Sequence, residues 1–328
     1  MKVYNLSIDS SQRDANVYLH ANNYTITLEN PIYDVSEIKL VSARIPTPQL
    51  TVCSTNNTFS VDGQTISLEN ADYPTGGDLA THLENELAPP LTNVDTVNFD
   101  TDTKRFTFSN TAIGDNNFTF EFHTGTNGYL EESSSVTTPY QLLGFSSADY
   151  TSVSNVLVSG AINLVGPNSL ILKLTSGSDD FAQSVYTSTP FYTGHILLDG
   201  SDFINFNGAD DKLIHHFHSG PQKYIRDIKI EFFYMSNGRL IPYDFMNQDH
   251  ILKFEITGST DKLEGLPKVP IEDVVEKREE EPISIPEVKN VYRWKREYIY
   301  IALIVAIGLL LMFFMKGKSP KYPRKLSE

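Results

Sequence analysis

The chain has 328 residues, of which 40% are hydrophobic and 20% are charged, which is enough apolar material for two domains or one large β domain. Its formal net charge of −15 argues against nucleic acid as a partner of the bulk protein, because phosphate binding needs a basic face. The single cysteine, Cys53, excludes an intramolecular disulfide and is interpreted as a structural or semi-exposed thiol, so the fold does not depend on an oxidising compartment.

The N-terminal stretch MKVYNLSIDSSQRD lacks the apolar segment of a secretory signal peptide. Four Asn-x-Ser/Thr sequons follow, and we favour chance sequons over glycosylation because nothing at the N-terminus directs translocation. They begin at Asn5, Asn23, Asn56 and Asn117.

Alternation of apolar and polar residues with a period of two dominates the chain up to residue 256, and it indicates strands with one buried face. The segment VNFDTDTKRFTF predicts a hairpin with its turn at Asp100–Lys104. Many short strands separated by turns predict an all-β jelly-roll or β-sandwich body. The apolar positions are Tyr24, Ile26 and Leu28; Phe118, Phe120 and Phe122; Leu170, Leu172 and Leu174; Ile228, Ile230, Phe232 and Tyr234; and Leu252, Phe254 and Ile256.

One stretch, TGGDLATHLENELAPP, has helical spacing instead. Leu79, Leu83 and Leu87 lie four residues apart, which predicts a short amphipathic helix whose leucines pack against a sheet. The helix should begin near Thr75 and end before Pro89–Pro90, since proline cannot continue it.

These patterns divide the chain into four segments. The body is β-rich and carries a small α+β insertion, and its sheets should draw on residues on both sides of that insertion. The predicted segments are a body at 1–262, with sheets from 1–50 and 155–262 and an insertion at 51–150; a tether at 263–292; a transmembrane helix with flanks at 293–316; and a basic tail at 317–328.

The predicted tether is rich in proline and glutamate. Residues 265–290 contain four prolines and carry six Glu and one Asp against four basic residues. Proline at this density prevents a long helix and stiffens the chain, so we expect an extended spacer.

The run from Tyr298 to Met315 contains no charged residue, and its 18 residues would form a helix of about 27 Å, close to the thickness of a thin bilayer. A buried core helix is the alternative, but core helices rarely lack a polar face or have basic clusters at both ends. We therefore predict a membrane anchor, with aromatic and basic residues at its interfaces. The anchor residues are Tyr298, Tyr300, Ile301, Leu303, Ile304, Val305, Ile307, Leu309, Leu310, Leu311, Met312, Phe313, Phe314 and Met315. The interface residues are Arg293, Trp294, Lys295, Arg296, Lys316 and Lys318.

The charge is divided unevenly along the chain. Residues 289–328 carry nine Lys/Arg and two Glu, whereas the remaining residues have a net charge of −22. Basic residues next to a bilayer are attracted to anionic headgroups, which supports the anchor. A span so near the C-terminus is inserted after translation, which favours a cytosolic body, although the five cations of the tail weakly favour the opposite orientation by the positive-inside rule.

Motifs for catalysis and cofactor binding are not found: no phosphate loop, no zinc-protease motif and no paired cysteines occur. We therefore predict no catalytic residue, no cofactor and no metal site, and we expect the protein not to be an enzyme. Three weaker patterns are better explained by surface residues and turns than by metal binding or acid–base chemistry. They are the histidines His215, His216 and His218; the DTDTK stretch at Asp100; and the acid pairs Asp179–Asp180 and Asp210–Asp211.

Four stretches of the sequence resemble proteins of large icosahedral nucleocytoplasmic DNA viruses, and together they cover about Leu6 to Ile256. A Ser-x-x-Arg-Asp element precedes a strand ending in Ile-Pro, a strand-and-helix element follows, Leu-Leu-Gly-Phe closes the middle region, and a Gly…Asp-Phe…His hairpin ends the body. The matching residues are Ser10, Arg13, Asp14, Ile38, Leu40, Ala43, Ile45 and Pro46; Leu142, Leu143, Gly144 and Phe145; and Gly238, Asp244, Phe245, Asn247, Asp249 and His250.

The order of these stretches resembles that of the minor capsid proteins of such viruses, including those of chlorovirus-like particles. The resemblance implies a jelly-roll protein without catalytic residues that lies in the virion between the inner membrane and the capsid shell. Its partners would be the lipid bilayer and the major and other minor capsid proteins. The alternative is a membrane-anchored β-sandwich adhesin or lectin-like module. The β fold and the sequons favour it, whereas the lack of an apolar signal-peptide segment and the absence of disulfides oppose it.

Overall fold

The structure is a computed structural model that describes residues 2–130, 134–177, 179–181, 192–208, 212–217, 222–258 and 292–315. Its contacts divide the chain into two compact units, Met1–Leu266 and Pro267–Glu328. The predicted fold class, an all-β body with a small α+β insertion and one long apolar C-terminal helix, is confirmed. The predicted tether up to residue 291 and the basic tail lie outside the described residues, so the predicted segment limits stay predictions.

In chain order, the strands are β1 (Lys2–Asp9), β2 (Asn23–Pro46), β3 (Thr58–Val61), β4 (Gln64–Ser67), β5 (Thr96–Asp100), β6 (Arg105–Ser109), β7 (Thr119–Glu121), β8 (Asp149–Thr151), β9 (Val156–Ala161), β10 (Ser169–Ser176), β11 (Asp179–Asp180), β12 (Gly194–Leu197), β13 (Phe203–Phe206), β14 (Leu213–His216), β15 (Gln222–Ser236), β16 (Arg239–Pro242) and β17 (Ile251–Gly258). The helices are α1 (Gly76–Leu87) and α2 (Tyr292–Met315), and a 3₁₀ turn covers Ser10–Gln12.

The body is organised around the 24-residue strand β2. Its N-terminal half pairs with β15 and its C-terminal half pairs with β17, while β14 and β13 also pair with the C-terminal half. The order β1-β17-β2-β15-β10-β11 completes this ten-stranded sheet, with β12 beside β10 and β16 beside β15. One long strand therefore connects most of the body.

A single hydrophobic core unites the strands of this sheet. The alternating positions of the sequence supply it: Tyr24 from β2, Leu172 from β10, Ile230 from β15 and Phe254 from β17 are all buried. Because side chains of a strand alternate between its two faces, one apolar face per strand is enough to build this core.

A second core belongs to the region between β2 and β10. It lies between a four-stranded sheet, β4-β3-β7-β8, a three-stranded sheet, β5-β6-β9, and helix α1. Phe108 and Phe120 meet edge-on at its centre, with ring centroids 4.7 Å apart. The insertion therefore has a core of its own.

Local sequence signals account for α1 and the hairpin, and both predictions are confirmed. Thr75 is the N-cap of α1 and accepts a hydrogen bond from the Asp78 amide, while Leu79, Leu83 and Leu87 are buried. Strands β5 and β6 pair across the turn, where Lys104 has a φ of 58° and lies in the left-handed region.

Strand β9 differs from the prediction. We expected strands from residue 155 onward to join the body sheet, but Val156–Ala161 pairs with β6 in the small three-stranded sheet. Hairpin β5–β6 leaves one edge of β6 unpaired, and β9 covers it. Alternation in a sequence shows that a segment is a strand but not which edge it pairs with.

Candidate functional site

Helix α2 is the candidate membrane anchor. The window Lys295–Phe314 has a mean hydropathy of 2.3 over 20 residues, and none of it is buried. At 1.5 Å per residue, 20 residues extend about 30 Å, which is the thickness of the hydrocarbon core of a bilayer. The helix is thus long and apolar enough to cross a membrane.

The apolar surface continues around the whole circumference of α2. The described large apolar side chains from Tyr298 to Phe314 are between 52% and 87% exposed, with Phe313 the most exposed. An amphipathic surface helix would have an apolar stripe and a polar face. In this helix no such division exists, so water is a poor solvent for every side of it.

The predicted anchor residues all lie on α2, together with Ile299, which shares their exposure. The interface residues are only partly described. Lys295 and Arg296 lie near the N-terminal end of the helix and are exposed. Arg293 and Trp294 belong to the helix by their backbone, the side chain of Met315 is not described, and Lys316 and Lys318 lie outside the described residues.

Two of the motif regions meet in space although about 240 residues separate them. The hydroxyl of Ser10 donates to Asp249 Oδ1 at 2.7 Å and accepts from the backbone N–H of His250 at 2.9 Å. Arg13 forms an ion pair with the same carboxylate and donates to the Ser10 carbonyl at 2.8 Å. These residues connect the end of β1 to the start of β17, so their role is to close the body sheet.

His250 lies beneath this connection. Its Nε2 is 2.9 Å from the Tyr24 hydroxyl, and its ring packs between Phe232 and Phe245 at centroid distances of 4.7 and 5.1 Å. Burial lowers the pKa of His250 to about 4, because the aromatic surroundings disfavour the charged ring. The histidine is therefore neutral at physiological pH and acts as a packing residue.

Gly144, in the Leu-Leu-Gly-Phe stretch, has a φ of 80°, which L residues rarely adopt. Its carbonyl accepts from the Gly160 amide at 2.8 Å, and the Gly160 carbonyl faces the place where a Cβ would be. Phe145 follows and packs against Phe122 and Tyr150. This stretch therefore holds β9 close to the aromatic core of the insertion.

Arg239 was not anticipated by the sequence analysis. It is buried in β16 and donates to the carbonyls of Asn127, Gly128 and Val136, and its guanidinium lies 4.2 Å from the centroid of the Tyr129 ring. It thereby fastens the body sheet to the insertion. The sequence signal that could have indicated its burial is the alternation of β16, because Arg239 lies on the same buried face of the strand as Ile241.

Among the described residues, no group of three or more His, Cys, Asp or Glu side chains could hold a metal ion. His215 stacks on Phe181, and His216 Nδ1 lies 3.0 Å from Glu37 Oε2. The Asp100 carboxylate accepts from Asp102 and Thr103 within the hairpin turn. His218, Asp210 and Asp211 lie outside the described residues, as do the side chains of Asp179 and Asp180.

By its elements, the chain is an all-β protein followed by one long apolar helix. Residues 1–229 match the sequence profile of DUF5901, a family of unknown function. Because the match covers more than half of the chain, the protein belongs to this family. Among curated proteins, none matches the sequence.

Two solved structures align with most of the chain. The crystal structure of the selenomethionine-labelled mavirus penton protein has a TM-score of 0.34 and 10% identity, covering 79% of this chain and 100% of that one. The 3.5 Å cryo-EM structure of the Sputnik virophage has a TM-score of 0.32 and 10% identity, covering 78% of this chain and 97% of that one. At these TM-scores the likeness does not define a function, and the chlorovirus-like resemblance stays a prediction.

Proposed function

We propose that this protein is a non-enzymatic structural component of a virus particle. The C-terminal helix would anchor it in the inner membrane, and the β-rich body would bridge to the major and other minor proteins of the capsid shell. The observation that carries the proposal is α2, whose window Lys295–Phe314 is apolar, about one bilayer long and unburied. The viral location is supported by the sequence resemblance of the four motif stretches.

The physical argument for the anchor is the cost of leaving α2 in water. Fourteen large apolar side chains between Tyr298 and Phe314 are more than half exposed. Burying apolar surface gains about 25 cal/mol per Å², so transfer of such a helix into lipid is strongly favourable. The basic residues Lys295 and Arg296 would then lie at the headgroups, where each is attracted by about 1 kcal/mol.

The charge of the body suggests the chemistry of its other partner. Residues 1–288 carry a net charge of −22, which would be repelled by an anionic bilayer and by nucleic acid. Basic or polar surfaces of shell proteins would complement it. The acidic tether would keep the body away from the headgroups.

The anchor is tested by flotation of the full chain with phosphatidylcholine liposomes in high salt, which removes binding that depends on surface charge. Wild-type protein should float, and a chain truncated before Tyr298 should stay in the soluble fraction. Leu309→Arg with Leu310→Arg should also abolish flotation, since each arginine at the centre of a span costs about 2.5–3.5 kcal/mol.

The matched control is Leu130→Arg with Leu197→Arg, two exposed leucines of the body. This variant should float like the wild type. Flotation of the truncated chain would show that α2 is not the anchor. The viral location is tested separately: purified particles should contain the chain at a fixed copy number, cross-linked to shell proteins, and its absence from them would contradict the proposal.

A further inference from the structure

A polar groove lies at the junction between the body sheet and the insertion. It consists of two adjoining cavities of about 250 Å³ and about 300 Å³, which share Gln49, Pro167 and Asn168 as lining residues. Together they reach the size of small-molecule sites, roughly 300–1,000 Å³. None of these residues belongs to the anchor or to the metal-like patterns of the sequence.

The walls of the groove are held in place by hydrogen bonds between the two parts of the body. Tyr129 from the insertion shares hydrogen bonds with Ser236 of β15 at 2.6 Å and with Thr137, while Thr137 also contacts Ser236 at 3.0 Å. Arg239 adds its bonds to the carbonyls of the same insertion loop. The groove is thus pre-formed by packing, which lowers the entropic cost of binding.

The lining of the groove is polar but nearly uncharged. Among the described residues that line it, the first cavity has no charged side chain, and the second has only the carboxylates Asp199 and Asp202. A phosphate, a nucleotide or another anion would find no cation here and would face two negative groups. An apolar ligand would leave the lining amides and hydroxyls without hydrogen bonds, which is unfavourable.

Several polar groups of the groove retain unused hydrogen-bonding capacity. Gln49 uses its Oε1 to accept from the Asp244 amide at 2.9 Å, and Asn163 uses its Oδ1 to accept from the Val165 amide at 3.0 Å, so both amide nitrogens remain available as donors. In the wall of the first cavity, the Thr138 hydroxyl is buried without a partner among the described residues. A polar group without a partner is unfavourable in an apolar environment, so the surroundings of Thr138 favour a polar occupant of this cavity over an apolar one.

We propose that this groove binds a neutral saccharide. A sugar hydroxyl both donates and accepts hydrogen bonds, and the amides and hydroxyls of the groove can pair with it in both ways. Among the described lining residues there is no cation, which disfavours acidic sugars. Asp199 and Asp202 would accept from hydroxyl groups at the far end. Since Tyr140 and Tyr234 are buried and offer no open ring face for stacking, hydrogen bonds would dominate and the affinity would be in the millimolar range.

The test uses the full chain in phosphatidylcholine nanodiscs, because maltoside detergents would themselves present sugars. Saturation-transfer NMR is recorded with glucose, galactose, mannose and N-acetylglucosamine, each alone. At least one sugar should receive saturation, and inorganic phosphate should not displace it from the groove. The affinity should fall about tenfold in Gln141→Glu and in Asn168→Asp, which each lose amide donors at the groove.

Asn98→Asp is the matched control, because Asn98 is an exposed amide on β5 outside the groove. It should bind sugar like the wild type, and all three variants should unfold at the wild-type urea concentration. No saturation of any of the four sugars, wild-type affinity in both groove variants, or binding of phosphate would overturn the proposal. The result is independent of the anchor, so failure here leaves the membrane role unaffected.

Discussion

At the scale of single residues, the body depends on polar side chains that connect strands far apart in the sequence. Ser10, Arg13 and Asp249 join the two ends of the body, and His250 fills the space beneath them. Each of these residues belongs to the sequence stretches that resemble viral proteins. Their arrangement explains the pattern by packing and hydrogen bonding, without any catalytic role.

The burial of His250 predicts a pH dependence of stability. Its folded-state pKa is about 4, whereas a histidine in the unfolded chain titrates near ~6.5. Between these values the unfolded state binds more protons than the folded state. The contribution of neutral His250 to the free energy of unfolding should therefore be fully present above pH ~6.5 and should fall by up to about 3 kcal/mol as the pH decreases to ~4.

The measurement is urea unfolding across this range for the wild type and for His250→Gln, whose side chain can reach the Tyr24 hydroxyl but does not titrate. The acid-induced loss should be smaller by about 3 kcal/mol in His250→Gln. His20→Gln, at an exposed position, should keep the wild-type slope. Equal slopes in all three proteins would show that His250 does not control acid stability.

Arg239 predicts a large effect of a single substitution. Arg239→Met keeps much of the side-chain volume but removes the donors to three carbonyls, so it should lower the free energy of unfolding by about 3–5 kcal/mol. Lys229→Met is the comparison, because Lys229 is partly exposed and its pair with Glu231 should contribute less than about 1 kcal/mol. Similar losses in the two variants, measured by urea unfolding, would contradict this role for Arg239.

At the scale of elements, the sequence patterns predicted the elements that depend on contacts between residues close together in the chain. The spacing of Leu79, Leu83 and Leu87 predicts α1, because helix formation needs only local contacts and a cap. The turn between β5 and β6 is local for the same reason. Strand β9 pairs with β6, and β1 pairs with β17. These partners lie far apart in the sequence, and their pairing depends on packing and burial in the folded body, which alternation alone does not specify.

The candidate sites follow the same division. The candidate anchor is a continuous run of apolar residues, so its location could be read directly from the sequence. The polar groove is lined by Gln49, Thr138 and Asn168, which come from three separate segments of the chain. Ser10 and Asp249, which are hydrogen-bonded, are 239 residues apart in the sequence. No periodic pattern marks such residues, since their proximity arises only after the sheets have formed.

The contact between Gly144 and β9 predicts a strong effect of one added methyl group. Gly144→Ala should destabilise the body by about 2–4 kcal/mol, because the new Cβ meets the Gly160 backbone and φ is positive. Gly63→Ala has a φ of 76° but open space around the Cβ, so its cost should be only about 1 kcal/mol. Thermal unfolding of both variants checks the difference, and equal losses would mean that the close approach is unimportant.

At the scale of the whole molecule, the proposed function assigns a spacing role to the predicted tether, which precedes helix α2 in the chain. Residues 265–290 are acidic and rich in proline, which favours an extended chain of about 3 Å per residue. Deletion of residues 267–286 should therefore bring membrane and shell closer, or prevent particle assembly. Cryo-EM of particles carrying the deletion measures the spacing, and normal spacing with normal yield would show that the tether does not set it.

The pairing of β1 with β17 has a consequence for the order in which the body is built. Lys2 lies opposite Gly258, so the first strand made by the ribosome finds its partner only when the last strand of the body emerges. At about 5–20 residues per second, β1 waits roughly 12–50 seconds with both edges unpaired. The nascent body is thus an incomplete sheet for nearly its entire synthesis, and chaperone protection of its first strand should decide how much of the protein folds correctly.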